Sequence, residues 1–469
     1  MVSHFPLIAP QVMPVLDQNY SPAALAIRDY QQKVSRDAVP LIIALERENN
    51  TISRYETQIF PDTHPLAVNN LFYVERILKF LLWQRGGHHI FIGGSPVIGE
   101  FLRKVYSPQG ERKFDYHFMT DQVYQKSFMI DTCAVGEVPP ASESGNKIGN
   151  HLEGKRIGFD LGASDRKVSI VVDGEVIFSE EKPWNPSAQS DPEYHYNEIM
   201  DSLRTALSRI DCIDAIGGSS AGIYIDNRPM VASLYRSVPL DQMEKIHNLF
   251  TRISRELKLP LVVINDGDVA ALAGSMALQE NSVLGIALGS SQAAGYVNPH
   301  GQIMGWLNEL SFAPIDFNPQ ASVDEWSGDR GCGSTYLSQQ CVFRLAPQVG
   351  IQIPGLMSNT EKLSFIQEKL AKGHEGAVKI WLTMGVYLGY AIAHYANYYD
   401  LKNVIILGRC TSGEGGRILL DEANKVLKTE FSDLGDRIRI LLPDEKNRRV
   451  GQAIAAASLP NLSQKEFAR

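Results

Sequence analysis

Cysteine is scarce in this chain. Five occur in 469 residues, Cys133, Cys212, Cys332, Cys341 and Cys410, scattered and odd in number. That pattern fits buried thiols in a reducing cytoplasm better than a disulfide frame. No CxxC pair exists, so a structural zinc site has little support. No apolar run reads as long enough to span a bilayer. Residues 1–16 have no basic stretch ahead of an apolar core, which argues against a secretory signal. There is no large basic block and the formal net charge is -8, which argues against nucleic acid as the main partner. What is present is 44% hydrophobic and 21% charged, the balance of a globular protein. The length exceeds one ordinary core, so two or three domains are expected.

The most informative stretch is Ile264-Asn265-Asp266-Gly267-Asp268-Val269-Ala270-Ala271-Leu272-Ala273-Gly274. Residues 261–264 are β-branched or apolar and read as a buried strand. The small residues at 269–277 read as a helix. A carboxylate at the C-terminal edge of a buried strand points into a cleft, where α/β folds place their chemistry. Three glycine-bearing turns accompany it. They are Asp160-Leu161-Gly162-Ala163-Ser164, Gly289-Ser290-Ser291-Gln292-Ala293-Ala294-Gly295 and Leu407-Gly408-Arg409-Cys410-Thr411-Ser412-Gly413. A base, two phosphate loops and a late glycine turn, in that order, point to a nucleotide-dependent kinase.

Residues 136–154 are rich in Pro, Ser and Gly and read as a linker between an N-terminal α/β domain, 1–135, and the rest. After it come a strand at 156–160, a hairpin through Asp173-Gly174, a helix at 198–208, a strand at 215–217 and a loop from Gly218 to Gly222. A helix at 240–257 leads into the strand before Asp266. This β-β-α-β-α-β order is half of a ribonuclease-H-like layer. A strand at 283–288, a hairpin around 298–301, long helices within 360–399 and a strand at 403–407 form a second half. The order strand, hairpin, helix, strand, Gly-Gly-Ser also occurs earlier, where Ile92-Gly93-Gly94-Ser95 echoes Ile216-Gly217-Gly218-Ser219. Residues 40–135 are therefore either a degenerate copy of the first lobe or an unrelated small α/β domain. In such a copy Ala44 matches Asp160, so it would not bind phosphate in this way.

Each motif has a plain alternative. Gly162 and the small residues after it let backbone N–H groups approach a phosphate, and Asp160 suits a magnesium ion held through water. A tight β-turn explains the same residues. Gly289, Ser290, Ser291 and Gln292 suit a second phosphate cradle or a packed hairpin. Gly408 and Gly413 can let an adenine ring lie on backbone, or simply turn the chain from strand to helix. Asp266 is a base for a substrate hydroxyl or a helix cap, although Asp268 reads as better placed for that cap.

Together these residues resemble the ROK family of bacterial sugar kinases and repressors, within the actin-like ATPase superfamily. Asp160 to Ser164 is similar to the family's Asp-x-Gly-Gly-Thr. Asn265 to Leu272 is similar to its Asn-Asp-Ala-Asn-Ala-Ala-Ala-Leu. Gly305-Trp306-Leu307-Asn308-Glu309-Leu310-Ser311-Phe312 is similar to its Glu-x-Gly-His segment, and residues 328–332 to part of its Cys-Gly-x-x-Gly-Cys segment. The resemblance covers about 155–460. It implies a two-lobed α/β, actin-like (ribonuclease-H-like) fold, with lobe I at 151–280 plus 447–469 and lobe II at 281–446. It also implies ATP bound between lobes that close on a sugar. Asp266 would be the base, Asn265, Asn308 and Glu309 would contact sugar, and Asp160 would stand on the magnesium side. Gly162, Ala163, Ser164 and Gly289 to Gln292 would surround phosphate, and Gly408 and Gly413 would lie near adenosine. No nucleic-acid or membrane partner is expected, and a homodimer is a candidate assembly.

The chain departs from that family where zinc is held. Phe312, Glu325 and Ser327 occupy ligand positions and only Cys332 is kept, so no zinc is expected. Ser334 replaces a sugar-binding glutamate, which weakens hexose recognition. A winged-helix domain with a basic recognition helix is not evident in the N-terminal third. The rival to a kinase is a non-catalytic sugar or nucleotide sensor on the same fold.

Overall fold

The computed structural model describes residues 5, 7–143, 148–443 and 445–462. The chain divides into two compact units. Unit 1 comprises 1–144, 286–294 and 306–442, and unit 2 comprises 145–285, 295–305 and 443–469.

In unit 1 the N-terminal part holds α1 (Ala23–Val34), β1 (Val39–Glu46), β2 (Ile52–Ile59), α2 (Val68–Arg85), β3 (His89–Gly93), α3 (Pro96–Val105), α4 (Lys113–His117) and β4 (Met129–Cys133). The strands pair in the order β2-β1-β3-β4. β1 runs antiparallel to β3, and β3 parallel to β4.

Unit 2 holds β5 (Lys155–Leu161), β6 (Asp165–Val172), β7 (Glu175–Pro183), α5 (Pro192–Leu207), β8 (Ala215–Ser220), a small ribbon of β9 (Ile223–Ile225) and β10 (Arg228–Val231), α6 (Met243–His247), α7 (Leu249–Leu257), β11 (Leu261–Asn265) and α8 (Asp266–Leu278). Its sheet order is β11-β8-β5-β6-β7. β5, β8 and β11 are mutually parallel, while β6 and β7 complete an antiparallel meander. The expected helix at 240–257 is broken at Asn248 into α6 and α7.

β1–β3 and β5–β8 differ in the direction of the last strand. Both chains run strands, helix, strand, Gly-Gly-Ser. A two-strand hairpin leaves the chain at the opposite end from a three-strand meander. The next strand therefore returns antiparallel to β1 in one case and parallel to β5 in the other.

The remaining elements are β12 (Val283–Leu288), β13 (Gln292–Val297), α9 (Gln339–Leu345), α10 (Asn359–Ala371), α11 (Glu375–Tyr395), β14 (Asn403–Leu407), α12 (Glu414–Glu430), α13 (Ser432–Arg437), β15 (Arg439–Leu441) and α14 (Glu445–Ala457). A sheet of order β13-β12-β14-β15 forms here. By length and composition α11 is apolar enough to cross a membrane, which the sequence reading passed over, but 83% of its apolar window is buried inside the protein. It is a core helix. Gly385 and Gly389 lie where a Cβ would press on Glu422 and Val426, so α11 and α12 pack closely through them.

In unit 2, α14 packs on the sheet through glycines as well. A Cβ on Gly217 would fall 1.7 Å from the Ala456 carbonyl oxygen, and one on Gly158 would fall 2.3 Å from that of Ala453. The stretch read as a linker is tied down up to residue 143, while 144–147 lie outside the described residues. Ser142 and Ile52 exchange backbone hydrogen bonds of 2.9 and 2.7 Å, and Glu143 pairs with Arg47 and Ser53.

Candidate functional site

Unit 2 brings Asp160 and Asp266 to one end of its parallel strands. Asp160 lies opposite Ser219 on β8, and Ser219 lies opposite Ile264 on β11, two residues before Asp266. Adjacent strands are about 4.8 Å apart, so β5, which carries Asp160, and β11, which leads into Asp266, are separated by roughly 10 Å. The Ser219 hydroxyl donates to Asp160 Oδ1 at 2.8 Å. Lys167, opposite Asp160 on β6, approaches Oδ2 at 3.7 Å and Asp165 at 2.8 Å. Burial raises the Asp160 carboxyl above its ordinary range, against the pull of Ser219 and Lys167. Ser219 was missed in the sequence because β8 continues to Ser220, beyond the strand expected at 215–217, and Lys167 because only the β5–β6 register sets it opposite Asp160.

Asp266 is the first residue of α8. Burial, reinforced by the nearby Asp160 charge, pushes its carboxyl up to about 6, although backbone N–H groups at the helix start favour the ionised form. The cap of α8 is Asn265, whose side-chain oxygen accepts from Gly267 N at 2.7 Å and whose amide donates to Gly222 O at 2.7 Å. Asp268, read as the better cap, is buried and accepts from Tyr296 N at 3.1 Å. Capping is thus done by a neighbour, leaving the Asp266 carboxyl to other use. Gly295 is required by packing, since its Cβ would meet Gly267 O at 2.1 Å.

Gly162, Ala163 and Ser164 form the tight turn from β5 to β6. Gly162 N donates to Asp165 O at 2.9 Å, and Trp184 Nε1 donates to Gly162 O at 2.7 Å. Ala163 and Ser164 are exposed, and the Ser164 carbonyl accepts from Trp184 N at 3.1 Å.

Unit 1 carries the other expected residues. Gly289 N donates to Ser291 O at 3.0 Å, which makes a compact turn with Ser290 and Ser291 exposed. Gln292 faces the core, where its amide donates to Tyr395 at 3.0 Å. Gly408 has a positive φ of 98° and lies flat on Leu288. Gly413, φ 62°, has open space around it, and α12 starts there with no side-chain cap. Asn308 is buried and accepts from Tyr399 at 2.9 Å, while Asn308 N and Glu309 N donate to Gln84 O and Trp83 O of α2. Glu309 is half-buried.

Where zinc ligands were weighed, unit 1 has an ion cluster instead. Phe312 packs on Trp83, with ring centres 4.2 Å apart. Ser334 donates to Asp324 at 2.8 Å, as does Ser327 at 2.7 Å. Cys332 is buried, and burial drives its thiol far above the ordinary range. Three bases from the N-terminal part converge on Asp329: Arg76 and Lys79 of α2 at 3.0 and 3.2 Å, and Arg112 at 2.7 Å. Glu75 and Asp115 balance them, Arg76 and Arg112 meeting Glu75 at 2.5 and 2.7 Å and Lys79 meeting Asp115 at 3.0 Å. Burial works against the Asp329 carboxylate, but the surrounding bases hold its pKa down to about 2.

This fold is the α/β, two-lobed actin-like ATPase fold. The chain belongs to the ROK family, whose model matches residues 156–432, more than half its length. No curated protein sequence matches it. Among solved structures it is similar to a ROK family transcriptional regulator, a homologue of the E. coli MLC protein. That likeness has 20% identity, 66% of this chain and 79% of that one covered, and a TM-score of 0.53. It is similar also to the ROK hexokinase of Thermus thermophilus, at 16% identity, 64% and 97% coverage and a TM-score of 0.51. A ROK family glucokinase from Streptomyces griseus, solved with glucose and AMPPNP, is 22% identical, with 65% and 99% covered and a TM-score of 0.48. These likenesses concern the fold. The proteins so named include sugar kinases and a transcriptional regulator.

Proposed function

We propose that this protein phosphorylates a sugar hydroxyl at the expense of ATP. The observation that carries the reading is the pair Asp160 and Asp266 at one end of the parallel strands of unit 2, with Asp266 pushed up to about 6. A carboxyl of that acidity is ionised at pH 7 yet is a stronger base than an ordinary aspartate. It accepts the hydroxyl proton as the oxygen–phosphorus bond forms and the bond to the departing ADP oxygen breaks. Phosphoryl transfer asks for positioning and charge neutralisation more than covalent help. The exposed residues Ala163 and Ser164 and the turn at Gly289 to Ser291 suit phosphate, and the open surroundings of Gly413 suit adenosine. Asp160 suits a magnesium ion held through water, which when bound would neutralise phosphate charge and displace the Lys167 ammonium now 3.7 Å from that carboxylate. Asn265 and Glu309 are the proposed sugar contacts. Asn308 enters this role through backbone it shapes, since its side chain is given to Tyr399.

The donor set does not suit zinc. An apolar Phe312, a Cys332 thiol held protonated and a Ser327 bound to Asp324 offer no tetrahedral ligand group. Ser334, tied to Asp324 where the family has a sugar-binding glutamate, favours the second reading, a sugar sensor without turnover.

The test is ADP release from ATP and Mg²⁺ across hexoses, amino sugars and polyols, with Asp266→Asn alongside. Sugar-dependent turnover that the variant loses supports the kinase. Sugar binding by calorimetry without turnover for any sugar supports the sensor.

A further inference from the structure

A cavity of about 480 Å³ lies within unit 1, between α2, α3 and the 316–330 segment. It is apart from the residues assigned above. Asn308 and Glu309 meet α2 at Trp83 and Gln84, whereas the cavity meets the same helix at Phe72 and Arg76, roughly 10 Å or more away along its axis. Its volume falls in the range of small-molecule pockets, and its make-up matches theirs, apolar walls with a few convergent polar groups.

The walls are the rings of Phe72, Phe101 and Phe317. Phe72 and Phe317 meet edge to face at 5.3 Å, Phe5 packs on both at 4.9 and 6.2 Å, and Arg76 lies over the Phe72 ring, so a ligand would meet only the parts of these rings that line the cavity. The polar side belongs to the ion cluster. Arg76 gives three N–H groups to Glu75 and Asp329, and Arg112 gives its Nε and Nη1 to the same two carboxylates. A guanidinium has five N–H donors, so both retain donors beyond these bonds. Arg112 Nη2 also meets Glu111 at 3.5 Å, so every nitrogen of the two guanidiniums has a partner, and a ligand hydroxyl would accept from the N–H groups that remain.

Charge decides the class of ligand. The lining has three bases, Arg76, Arg112 and Arg330, set against three acids, Glu75, Glu111 and Asp329. A further acid, Asp316, has both oxygens occupied by Ser21 N, Asn318 N and the Tyr336 hydroxyl. Burial pushes the Asp316 carboxyl up to about 7, so it is only partly charged at neutral pH, and a lining this near balance gives little net attraction to phosphate or to a cation. It does supply donors and acceptors side by side next to aromatic faces. We propose that this cavity is a second ligand site that takes a neutral polyhydroxylated ring compound, a free monosaccharide or cyclic polyol. Hydroxyls pair with the guanidinium and carboxylate groups, and the C–H faces of the ring lie on Phe72, Phe101 and Phe317. The site stands independently of turnover at Asp266.

Hydrogen–deuterium exchange on the full chain tests it, with glucose, N-acetylmannosamine and myo-inositol as probes beside glucose 6-phosphate and adenosine. At ten times Kd, openings that expose the cavity slow roughly tenfold. The expected result is slowed exchange in peptides spanning 66–76 and 316–330 with at least one neutral probe. The slowing persists in Asp266→Asn and disappears in Val68→Trp, which places a large ring at an exposed lining position (63% exposed) at the start of α2. No slowing there with any neutral probe overturns the proposal, as does slowing left intact by Val68→Trp. Slowing by glucose 6-phosphate or adenosine in preference to the neutral probes overturns the ligand class. Slowing confined to 261–270 overturns this site while leaving the kinase reading intact.

Discussion

Asp160 and Ser219 face each other across adjacent parallel strands, joined by a 2.8 Å hydrogen bond that fixes the carboxylate at the C-terminal end of β5. With Lys167 on its other side, Asp160 is a held, partly neutralised acid, and Asp266 beyond it is pushed up to about 6. Two acids on one sheet edge thus have different environments, which is how a single fold assigns different roles to like residues.

Removing the proposed base gives the most direct prediction. Asp266→Asn is expected to lower sugar-dependent ADP release by about 10²–10⁴-fold. Helix α8 keeps its cap, since the cap is Asn265. Thermal melting should therefore not fall, and loss of activity with a preserved melting curve is the result that fits a base.

The pH dependence follows from the same carboxyl. In kcat/KM the acidic limb should bend near pH 6, because only the ionised form accepts a proton. For stability the sign is opposite. The folded pKa of about 6 exceeds the ordinary 3.8, so this group's contribution is complete below about 3.8 and is lost as pH rises through 6. Asp266→Asn should gain stability relative to the parent at pH 7–8 but not at pH 4, as denaturant titrations at the two pH values would show.

The ion cluster should behave as buried pairs do. Asp329→Asn leaves Arg76, Lys79 and Arg112 without their shared partner and is expected to cost about 3–5 kcal/mol. Lys79→Met combined with Asp115→Leu removes both members of one pair, though Lys79 also meets Asp329 and Asp115 also accepts from Trp83 Nε1, and its cost in urea titration should be less than the sum of the single changes. With Asp329 held near 2, its contribution is present above about 3.8 and lost as pH falls through 2.

Gly217→Ala tests the seat of α14. The added methyl group would meet the Ala456 carbonyl, so the helix must shift or the strand must bend. Overpacking of this kind costs about 1–3 kcal/mol. A melting temperature equal to the parent's would refute the close packing of α14 on β5 and β8.

What the sequence by itself determined are the features written in consecutive residues. The strand ending in Asn265-Asp266, the turn at Gly162, the strand–turn–helix at Gly408 to Gly413 and the strands at 283–288 and 403–407 all rest on local apolar patterning and turn chemistry, and all were legible. So was the family, because its motifs are short and ordered. The direction of β3 follows from how many strands precede the crossover, two in one case and three in the other. Tertiary structure alone decided the rest. Ser219 and Lys167 flank Asp160 only through sheet register, and Gln292 turned inward because Tyr395 of a distant helix receives it. Arg76, Lys79 and Arg112 lie more than 200 residues from Asp329. No local pattern marks such charges as partners, because their pairing energy arises only once folding removes them from water.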